Sequence, residues 1–331
     1  MAAGLGTRLR PLTWEVPKPV VPVVNRPVIE HILRLLRRHE ITEAISNLHW
    51  FPDTIRGPLG DGSEFGIRLT YEYEERLLGT AGGVRNVKEW LTEPGGTFLV
   101  MAGDALTDAD LTDLARAHEA NGGVATIGVK RVANVSEFGV VVTDADGRVQ
   151  GFQEKPDPAE ALSDLVNSMI YAFSPEVFDY FPDIEAPDFA LDVFPALLEH
   201  DVPFHVHRLE GYWNDVGSIP EYLQGNLDAL AGDVSVELAG EVLDGGADEE
   251  SAASQDGGWE LSGRVLLGEG ATIEEGARID GPVVIGPGAS VGAEAIVKES
   301  VLLPEAQVPA SSMLVGAIAG RRGALAAGAE A

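Results

Sequence analysis

The chain has 331 residues, 45% of them hydrophobic, which is enough for two domains with large cores. It contains no cysteine, so disulfides and thiolate metal sites are excluded. The formal charge of −30 argues against a nucleic-acid partner. There is neither a long apolar run nor a signal peptide, and we expect a cytoplasmic protein that does not bind membranes.

The acidic residues are spread along most of the chain, and only five of the 23 basic residues are lysine. Acidic surfaces poor in lysine resemble those of proteins from the high-salt cytoplasm of halophilic archaea, where screening removes self-repulsion. A mesophilic protein with an acidic tail is the alternative, but the even spread of acid argues against it. Against this background, the basic residues between positions 8 and 18 indicate a local anion site.

Two glycines, Gly4 and Gly6, lie close together near the start and are followed by Thr7 and Arg8. A glycine-rich backbone can approach a ligand closely, and its free N–H groups favour phosphate. Arginine and lysine add charge-assisted hydrogen bonds to phosphate, and Lys18 is held between two stiff prolines. The pattern predicts a phosphate-binding loop, although it lacks the closing G-K-[ST] of a P-loop and the third glycine of a dinucleotide fingerprint.

The run Ala-Gly-Leu-Gly-Thr-Arg-Leu-Arg-Pro-Leu-Thr at 3–13, followed by Pro-Lys-Pro at 17–19, resembles the signature of the sugar-1-phosphate nucleotidylyltransferases. The resemblance implies that Arg8 and Lys18 hold the departing pyrophosphate. It also implies that the nucleotide phosphates are wrapped by the loop residues Ala3, Gly4, Gly6 and Thr7. In that family the loop follows directly from a buried strand, which is absent before Met1. We therefore expect the true start of the protein to lie upstream, with Met1 as an internal residue.

Helical and strand patterns alternate after this loop. Apolar residues at helical spacing predict an amphipathic helix over 28–39 and a further helix over 222–230. Strands are predicted at 41–48, 69–73, 98–101, 124–129, 139–143 and 149–152. This alternation predicts an α/β domain, Rossmann-like, with a mixed and mostly parallel sheet, and the resemblance implies a GT-A-like nucleotidyltransferase. Ligands of such sheets lie beyond the carboxyl ends of the strands.

The predicted strand 69–73 leads into Glu74 and a Leu-Gly-Thr-Ala-Gly run at 78–82. The resemblance implies that Gly79 and Thr80 line the base pocket and that Glu74 contacts the base edge. An ionised carboxylate only accepts hydrogen bonds, and guanine offers two donors, whereas thymine and uracil place carbonyl groups beside their single N–H. Glu74 therefore favours GTP; a solvated glutamate at a strand end is the alternative interpretation.

Two aspartates follow apolar or aromatic segments. Asp104 ends the Phe-Leu-Val-Met-Ala-Gly-Asp run, and Asp215 lies in a Trp-Asn-Asp-Val-Gly run that resembles the family's Trp-x-Asp-x-Gly. Mg²⁺ prefers a few carboxylates together with phosphate oxygens. The resemblance implies that Asp104 and Asp215 are the metal ligands, with Mg²⁺ as the cofactor. For Asp104 the alternative is a carboxylate that caps the following turn.

Three further segments match the parts of the family that bind the sugar phosphate. The resemblance implies that the backbone of Gly139 faces the sugar, that Glu154 accepts from its hydroxyls and that Lys155 binds its phosphate. Asn167 corresponds to an asparagine that bonds a sugar hydroxyl. Met169 replaces the glycine of the family's Asn-x-Gly-Ile-Tyr, so a narrower or differently shaped sugar pocket is expected.

From residue 267 onwards, aliphatic residues recur at every sixth position: Leu267, Ile273, Ile279, Ile285, Val291, Val297 and Leu303. Smaller residues follow the same period: Ala271, Ala277, Val283, Ala289, Ala295 and Val301. This period predicts a short left-handed parallel β-helix of hexapeptide repeats. About two coils are short for an independent solenoid, so we expect packing on the rest of the chain or on another subunit of a homo-oligomer.

We predict four segments: a nucleotidyltransferase catalytic domain at 1–230 without its first strand, an acidic linker or mobile loop at 231–262, the β-helix at 263–316 and a tail at 317–331. The expected reaction joins an NTP and a sugar 1-phosphate to give an NDP-sugar and pyrophosphate. GTP with mannose 1-phosphate is the leading pair, and glucose 1-phosphate with TTP or UTP is the alternative. A non-catalytic regulatory subunit is a further alternative, as is an acyltransferase, although residues 261–310 contain no histidine.

Overall fold

The computed structural model describes residues 1–14, 16–246, 253–254, 256–321 and 323–326. The chain forms two compact units that interleave along the sequence. The first unit comprises Met1–Leu5, Leu33–Gly103 and Ala109–Trp213, and the second comprises Gly6–Ile32, Asp104–Asp108 and Asn214–Ala331. The predicted segments, in contrast, follow chain order.

The helices of the described residues are α1 (Val28–Arg38), α2 (Pro52–Leu59), α3 (Gly79–Asn86), α4 (Lys88–Thr92), α5 (Leu111–Asn121), α6 (Phe194–Glu199) and α7 (Ile219–Ala231). The strands before α7 are β1 (Pro22–Val23), β2 (Arg26–Pro27), β3 (Glu43–Leu48), β4 (Arg68–Tyr73), β5 (Phe98–Met101), β6 (Leu106–Thr107), β7 (Ala125–Arg131), β8 (Gly139–Thr143), β9 (Val149–Glu154), β10 (Leu165–Phe173), β11 (His205–Arg208) and β12 (Trp213–Asn214). No helix in this described part is both long and apolar enough to cross a membrane.

The strands after α7 are β13 (Glu241–Asp244), β14 (Ala253–Ser254), β15 (Glu260–Ser262), β16 (Arg264–Leu267), β17 (Thr272–Ile273), β18 (Arg278–Asp280), β19 (Val283–Ile285), β20 (Ser290–Val291), β21 (Ile296–Lys298), β22 (Val301–Leu302), β23 (Gln307–Val308), β24 (Met313–Val315), β25 (Ala317–Gly320) and β26 (Gly323–Ala326). Short 3₁₀ turns lie at Thr7–Leu9, Leu12–Trp14, Lys18–Val20, Ser63–Phe65 and Pro175–Tyr180, and a π-helical turn lies at Phe189–Val193.

Both predicted helices are confirmed. The apolar stripe of α1, which includes Ile29, Ile32 and Leu36, is buried because it recurs at helical spacing on one face. At the start of α7 the Ser218 hydroxyl accepts from the Glu221 backbone N–H and donates to the Glu221 carboxylate. This N-cap satisfies the otherwise unpaired backbone N–H of Glu221 and fixes where α7 begins.

The mixed α/β sheet is confirmed, and its strands run β11-β7-β10-β8-β9, with β5 pairing with β10. β11 pairs parallel with β7, whereas β5, β7 and β8 all pair antiparallel with β10. Strands β8 and β9 also pair antiparallel, because the turn between them is too short for a parallel crossover. Parallel pairing instead predominates in the β3–β4 pair and in the C-terminal ladders.

The core of the first unit is rich in aromatic side chains. Phe173, Phe189 and Phe194 are fully buried, with ring centroids 5.3 Å apart between Phe173 and Phe189. Burying each such side chain contributes roughly 1.5–3 kcal/mol to stability. Burial also raises the pKa of the Tyr171 hydroxyl, because the apolar surroundings disfavour its ionised form.

The C-terminal part of the second unit consists of three parallel ladders that the chain visits in turn. They contain β16-β19-β22-β25, β17-β20-β23 and β15-β18-β21-β24. Residues three hexapeptides apart pair in register, as in Val265 with Val283 and Ile279 with Val297. This strand connectivity is the one expected of a β-helix, and the small and aliphatic residues of the ladders form one buried cluster.

The sixfold period ends before Leu303. Val284 pairs with Val301 and Ile285 with Leu302, so this coil is one residue shorter than the one before it. The shorter corner passes through Glu299, whose φ is 45°. Leu302 is consequently buried at the position predicted for Leu303, which is only half-buried. The last position of the predicted aliphatic series was therefore wrong by one residue.

The interval 231–262, predicted as an acidic linker or mobile loop, contains β13, β14 and β15. β13 pairs antiparallel with β16, and β15 pairs parallel with β18. Ordered pairing therefore extends into this interval, while its residues 247–252 and 255 lie outside the described residues. In the predicted tail, β26 pairs with β25, and residues 322 and 327–331 lie outside the described residues.

Candidate active site

Four of the predicted site residues come together in the second unit. The Lys18 Nζ lies 3.1 Å from the Asp104 Oδ2 and donates to the Asp215 carbonyl oxygen at 2.6 Å. The Arg8 guanidinium donates to the Asp215 Oδ2 at 3.2 Å. Residues from three separate parts of the chain thus form one cluster of two cations and two carboxylates, which we call the charged cluster.

Two glycines give the charged cluster its close packing. Gly6 has a φ of 59°, and a Cβ at this position would lie 3.0 Å from the Cβ of Lys18. At Gly217 a Cβ would lie 2.5 Å from the Asp215 Oδ2 and 2.9 Å from an Arg8 nitrogen. Any larger residue at these positions would displace the charged side chains.

Lys18 is the most enclosed member of the charged cluster. Its side chain is 10% exposed, whereas those of Arg8 and Asp104 are 49% and 29% exposed. It begins a short 3₁₀ turn after Pro17, so its backbone is fixed by proline on both sides. A lysine held by the Asp104 carboxylate and the Asp215 backbone carbonyl presents its ammonium group to incoming anions from a fixed position.

A carboxylate absent from the sequence-based predictions also borders the cluster. Burial raises the pKa of Glu221, and the nearby negative charge of Asp215 raises it further. The Ser-x-x-Glu pattern at 218–221, typical of a helix N-terminus, is the sequence signal that could have drawn attention to this residue.

In the first unit, Glu74 is buried at 3% exposure between neutral donors. Its Oε1 accepts from the Asn47 Nδ2 at 2.7 Å, and its Oε2 accepts from the Leu78 backbone N–H at 3.0 Å. The Oδ1 of Asn47 accepts from the Ala2 N–H at 2.7 Å. This buried pair, Asn47 and Glu74, ties the start of the glycine loop to the turn that precedes α3. Asn47 was not predicted as a site residue.

The predicted base-pocket residues are held by the segment before the π-helical turn. The Thr80 hydroxyl donates to the Asp188 Oδ2 at 2.7 Å and accepts from the Phe189 N–H. Gly79 precedes it with a φ of 76°. Both oxygens of the Asp188 carboxylate are engaged, since the other caps the turn that follows. The start of α3 is thus anchored from outside the helix.

The predicted sugar-site residues all lie in the first unit. Gly139 and Glu154 are paired across β8 and β9. Lys155 follows with a φ of 44°, and its backbone N–H donates to the Phe138 carbonyl. The Asn167 Oδ1 accepts from the Met169 N–H at 2.9 Å, so this oxygen is already engaged by the backbone.

The remaining loop residues differ in exposure. Ala3 is buried, whereas Gly4 and Thr7 are exposed, with space around Gly4. By unit, Gly6, Thr7 and the charged cluster belong to the second unit, and all other predicted site residues belong to the first.

The donor set of the charged cluster fits a hard divalent cation that is bound partly by substrate. Among the described residues there is no group of three or more His, Cys, Asp or Glu side chains that could form a complete metal cage. Two carboxylates beside two cations, however, suit Mg²⁺, which keeps few protein ligands and takes phosphate oxygens for the rest. Nucleotidyltransferases of this type generally use a divalent metal.

Comparison with known proteins identifies the family of the chain. Residues 1–232 match a family described as nucleotidyl transferase, and residues 261–330 match one described as the GMPPB C-terminal domain. A UTP–glucose-1-phosphate uridylyltransferase of Synechocystis is 37% identical over 328 residues, which cover 95% of this chain and 84% of the relative. A mannose-1-phosphate guanylyltransferase of Mycobacterium tuberculosis is 34% identical and covers 84% of this chain and 76% of its own.

A crystal structure from Bacillus anthracis, assigned as a glucose-1-phosphate thymidylyltransferase, shares the fold. It has a TM-score of 0.63 and 24% identity, and the match covers 71% of this chain and 95% of the other. The matched family spans the glycine loop, the charged cluster up to Asp215 and the buried pair. The chain therefore belongs to the nucleotidyl transferase family, as a sugar-1-phosphate nucleotidyltransferase.

Proposed function

We propose that the chain makes GDP-mannose and pyrophosphate from GTP and mannose 1-phosphate. The charged cluster carries this proposal, because Lys18 lies between Asp104 and the Asp215 segment with Arg8 beside it. Two cations suit a departing pyrophosphate, and two carboxylates suit its metal ion. The match to the GMPPB C-terminal domain and the mannose-1-phosphate guanylyltransferase relative support mannose and guanine.

In the proposed reaction an oxygen of the sugar phosphate attacks the α-phosphorus of GTP in line with the leaving pyrophosphate. No protein nucleophile is needed, because orientation and charge stabilisation can supply the catalysis. Arg8 and Lys18 stabilise the pyrophosphate as its negative charge develops. The backbone of Ala3, Gly4, Gly6 and Thr7 binds the nucleotide phosphates.

Asp104 and Asp215 would hold Mg²⁺, which when bound neutralises phosphate charge. Before the nucleotide binds, the ion pairs with Lys18 and Arg8 keep the two carboxylates oriented. These ion pairs are partly exposed, so phosphate oxygens can replace them at low cost.

The first unit supplies the specificity in this proposal. Lys155 binds the phosphate of the sugar, and Gly139, Glu154 and Asn167 contact its hydroxyls. Glu74 accepts from the guanine edge, since a carboxylate offers about four lone-pair positions and two are used by Asn47 and Leu78. Gly79 and Thr80 line the base pocket.

Glucose 1-phosphate with UTP is the second candidate pair, and TTP belongs to the same alternative. The uridylyltransferase relative favours it, because its similarity extends over 95% of this chain. In that case Glu74 would serve only to hold Asn47 and the Leu78 turn, and another group would bind the base.

Pyrophosphate release tests the proposal directly. We would combine GTP, UTP, TTP, ATP and CTP with mannose, glucose and N-acetylglucosamine 1-phosphates, in Mg²⁺ and high-salt buffer. The proposal predicts the highest kcat/KM for GTP with mannose 1-phosphate. A preference for UTP or TTP with glucose 1-phosphate would refute the substrate pair while keeping the reaction class.

If a protein that is folded by circular dichroism releases no pyrophosphate with any of these substrate pairs, catalysis itself is refuted. That result would favour a non-catalytic regulatory subunit. High salt is included because the charge of −30 destabilises the fold by self-repulsion unless it is screened.

A further inference from the structure

Strand β10 is interrupted by a bulge in the first unit. Its pairing register with β7 shifts between Asn167 and Tyr171. Within the bulge Met169 has a φ of 58°, a left-handed conformation that residues other than glycine, asparagine and aspartate rarely adopt. A methionine is retained in this conformation only where surrounding contacts determine the backbone.

The backbone of the bulge is bonded on both sides of Met169. The Met169 N–H donates to the Asn167 Oδ1, and its carbonyl accepts from the Ala102 N–H at 3.0 Å. The carbonyl of Ser168 accepts from the indole N–H of Trp213 at 3.1 Å. Ser168 itself is 1% exposed, and its hydroxyl donates to the Gly128 carbonyl, which fixes the bulge to β7.

The two residues that donate to the carbonyls of the bulge, Ala102 and Trp213, each precede one of the proposed metal ligands by the same number of residues. Ala102 lies two residues before Asp104, and Trp213 lies two residues before Asp215. A second restraint acts on the Trp213 segment, because the Lys130 ammonium donates to the carbonyls of Leu209 and Gly211. The segments that lead into both proposed metal carboxylates are therefore held by adjacent carbonyls of one bulge.

We infer that the Ser168–Met169 bulge is a positioning element for metal binding, which sets the backbone from which Asp104 and Asp215 project. This inference rests on the proposed metal role of those two aspartates. Two adjacent carbonyls bond the residues two positions before each aspartate, so a shift of the bulge is passed along the backbone towards both aspartates. Met169 and Trp213 are positioning residues and need not touch substrate.

The test measures how strongly Mg²⁺ enhances GTP binding, as the ratio of GTP affinity in Mg²⁺ to that in EDTA by calorimetry, without sugar phosphate. Leaving out the sugar phosphate excludes any effect of Met169 on the sugar pocket. Met169→Val should lower the ratio about tenfold, because a β-branched residue disfavours the left-handed conformation. Trp213→Phe should lower it about threefold through loss of one hydrogen bond. Met169→Gly, the matched control, should keep the ratio, since glycine adopts this conformation freely.

GTP affinity in EDTA should change less than twofold in all three variants, and circular dichroism should show them folded. If Met169→Val fails to fold, Trp213→Phe alone decides the outcome. Wild-type ratios in the folded variants would overturn the inference. Asp104→Asn distinguishes the metal role of Asp104 from the positioning role of the bulge. If this variant keeps the wild-type ratio, the metal role itself is refuted. If Asp104→Asn loses the ratio while Met169→Val and Trp213→Phe keep it, only the bulge is excluded.

Discussion

The charged cluster of the second unit and the buried pair of the first unit hold their carboxylates in opposite ways. Asp104 and Asp215 are paired with cations, and their side chains remain 29% and 20% exposed. Glu74 is 3% exposed and is held by the neutral donors Asn47 and Leu78. One arrangement can exchange its partners for a ligand, whereas the other is fixed before any ligand arrives.

This difference suits the two tasks that we assign to the units. Phosphoryl chemistry needs charges that are already oriented but are weakly committed to each other, because phosphate and metal must displace them. Base selection needs an acceptor whose position does not adapt to the wrong base. Burial with satisfied hydrogen bonds provides that rigidity, and it makes loss of a partner costly.

The largest expected effect is that of Asp104→Asn in the charged cluster. It should lower kcat about 1,000-fold while the melting temperature changes little, because the metal carboxylate is lost but the surroundings stay intact. Pyrophosphate release and thermal unfolding measure the two effects. Asp53→Asn, an exposed carboxylate on α2, is the control and should keep wild-type activity. A rate for Asp104→Asn within twofold of wild type would contradict the metal role.

Removal of the enclosed cation should have the next largest effect. Lys18→Met should lower kcat about 100-fold, since one preorganised charge on the leaving group is lost. Lys88→Met removes a lysine that lies over the Phe178 ring, far along the chain from the cluster, and should change kcat less than twofold. Equal kinetics for the two variants would show that Lys18 does not act on the pyrophosphate.

The buried pair can be compared with a second Asn–Glu pair that is exposed. Asn47→Ala should lower the free energy of unfolding by about 2 kcal/mol and raise the KM for GTP, because Glu74 and the Ala2 N–H lose their partner. Asn86→Ala removes the exposed partner of Glu72 and should cost under about 0.5 kcal/mol. Chemical denaturation and initial rates provide both numbers, and similar values for the two variants would contradict the proposed role of burial.

The smallest expected effect is a pH dependence of stability at another buried polar site of the first unit. The ring nitrogens of His118 are 3.0 Å from the hydroxyl oxygens of Thr126 and Ser174. Burial lowers the pKa of His118, although the charge of Glu119 partly opposes this shift. The unfolded chain therefore takes up the proton first as the pH falls below about 6.5. The contribution of neutral His118 to stability is complete above that pH and is lost as the pH falls towards the folded-state pKa.

Thermal unfolding of wild type and His118→Gln between pH 8 and pH 5 measures this term. The wild type should lose more stability than the variant over that range. Both proteins carry the same surface carboxylates, so the contributions of these groups cancel in the comparison. Glutamine itself does not titrate, so the difference between the two proteins reports His118. If stability falls equally with pH in the two proteins, His118 does not contribute to the pH dependence.

Much of the charged cluster could be predicted because each member belongs to a contiguous motif. The glycine loop, Pro-Lys-Pro, Gly-Asp and Trp-x-Asp-x-Gly each mark one residue, and the structure brings those residues together. The helix and strand patterns were read correctly for the same reason, since α1 and β3 depend on local periodicity.

The buried pair and the bulge could not be predicted in this way. Asn47 is 45 residues from Ala2 and 27 residues from Glu74, and nothing in the strand pattern of 41–48 indicates either partner. The bulge at Met169 depends on hydrogen bonds to Ala102, which follows β5, and to Trp213 rather than on its own sequence. Leu302, and not Leu303, occupies the predicted core position because one corner of the β-helix is a residue shorter. A fixed sequence period cannot predict such a change.

In the proposed reaction, the buried pair selects guanine through Glu74. The most direct measurement compares kcat/KM for GTP and ITP, which lacks only the 2-amino group, in wild type and Glu74→Gln. Any general damage from the substitution cancels in the GTP/ITP ratio. We predict that wild type prefers GTP by about 10- to 100-fold and that the ratio in Glu74→Gln falls to within about threefold of unity. The same ratio in both proteins would contradict the claim and leave Glu74 as a support for Asn47 and the Leu78 turn.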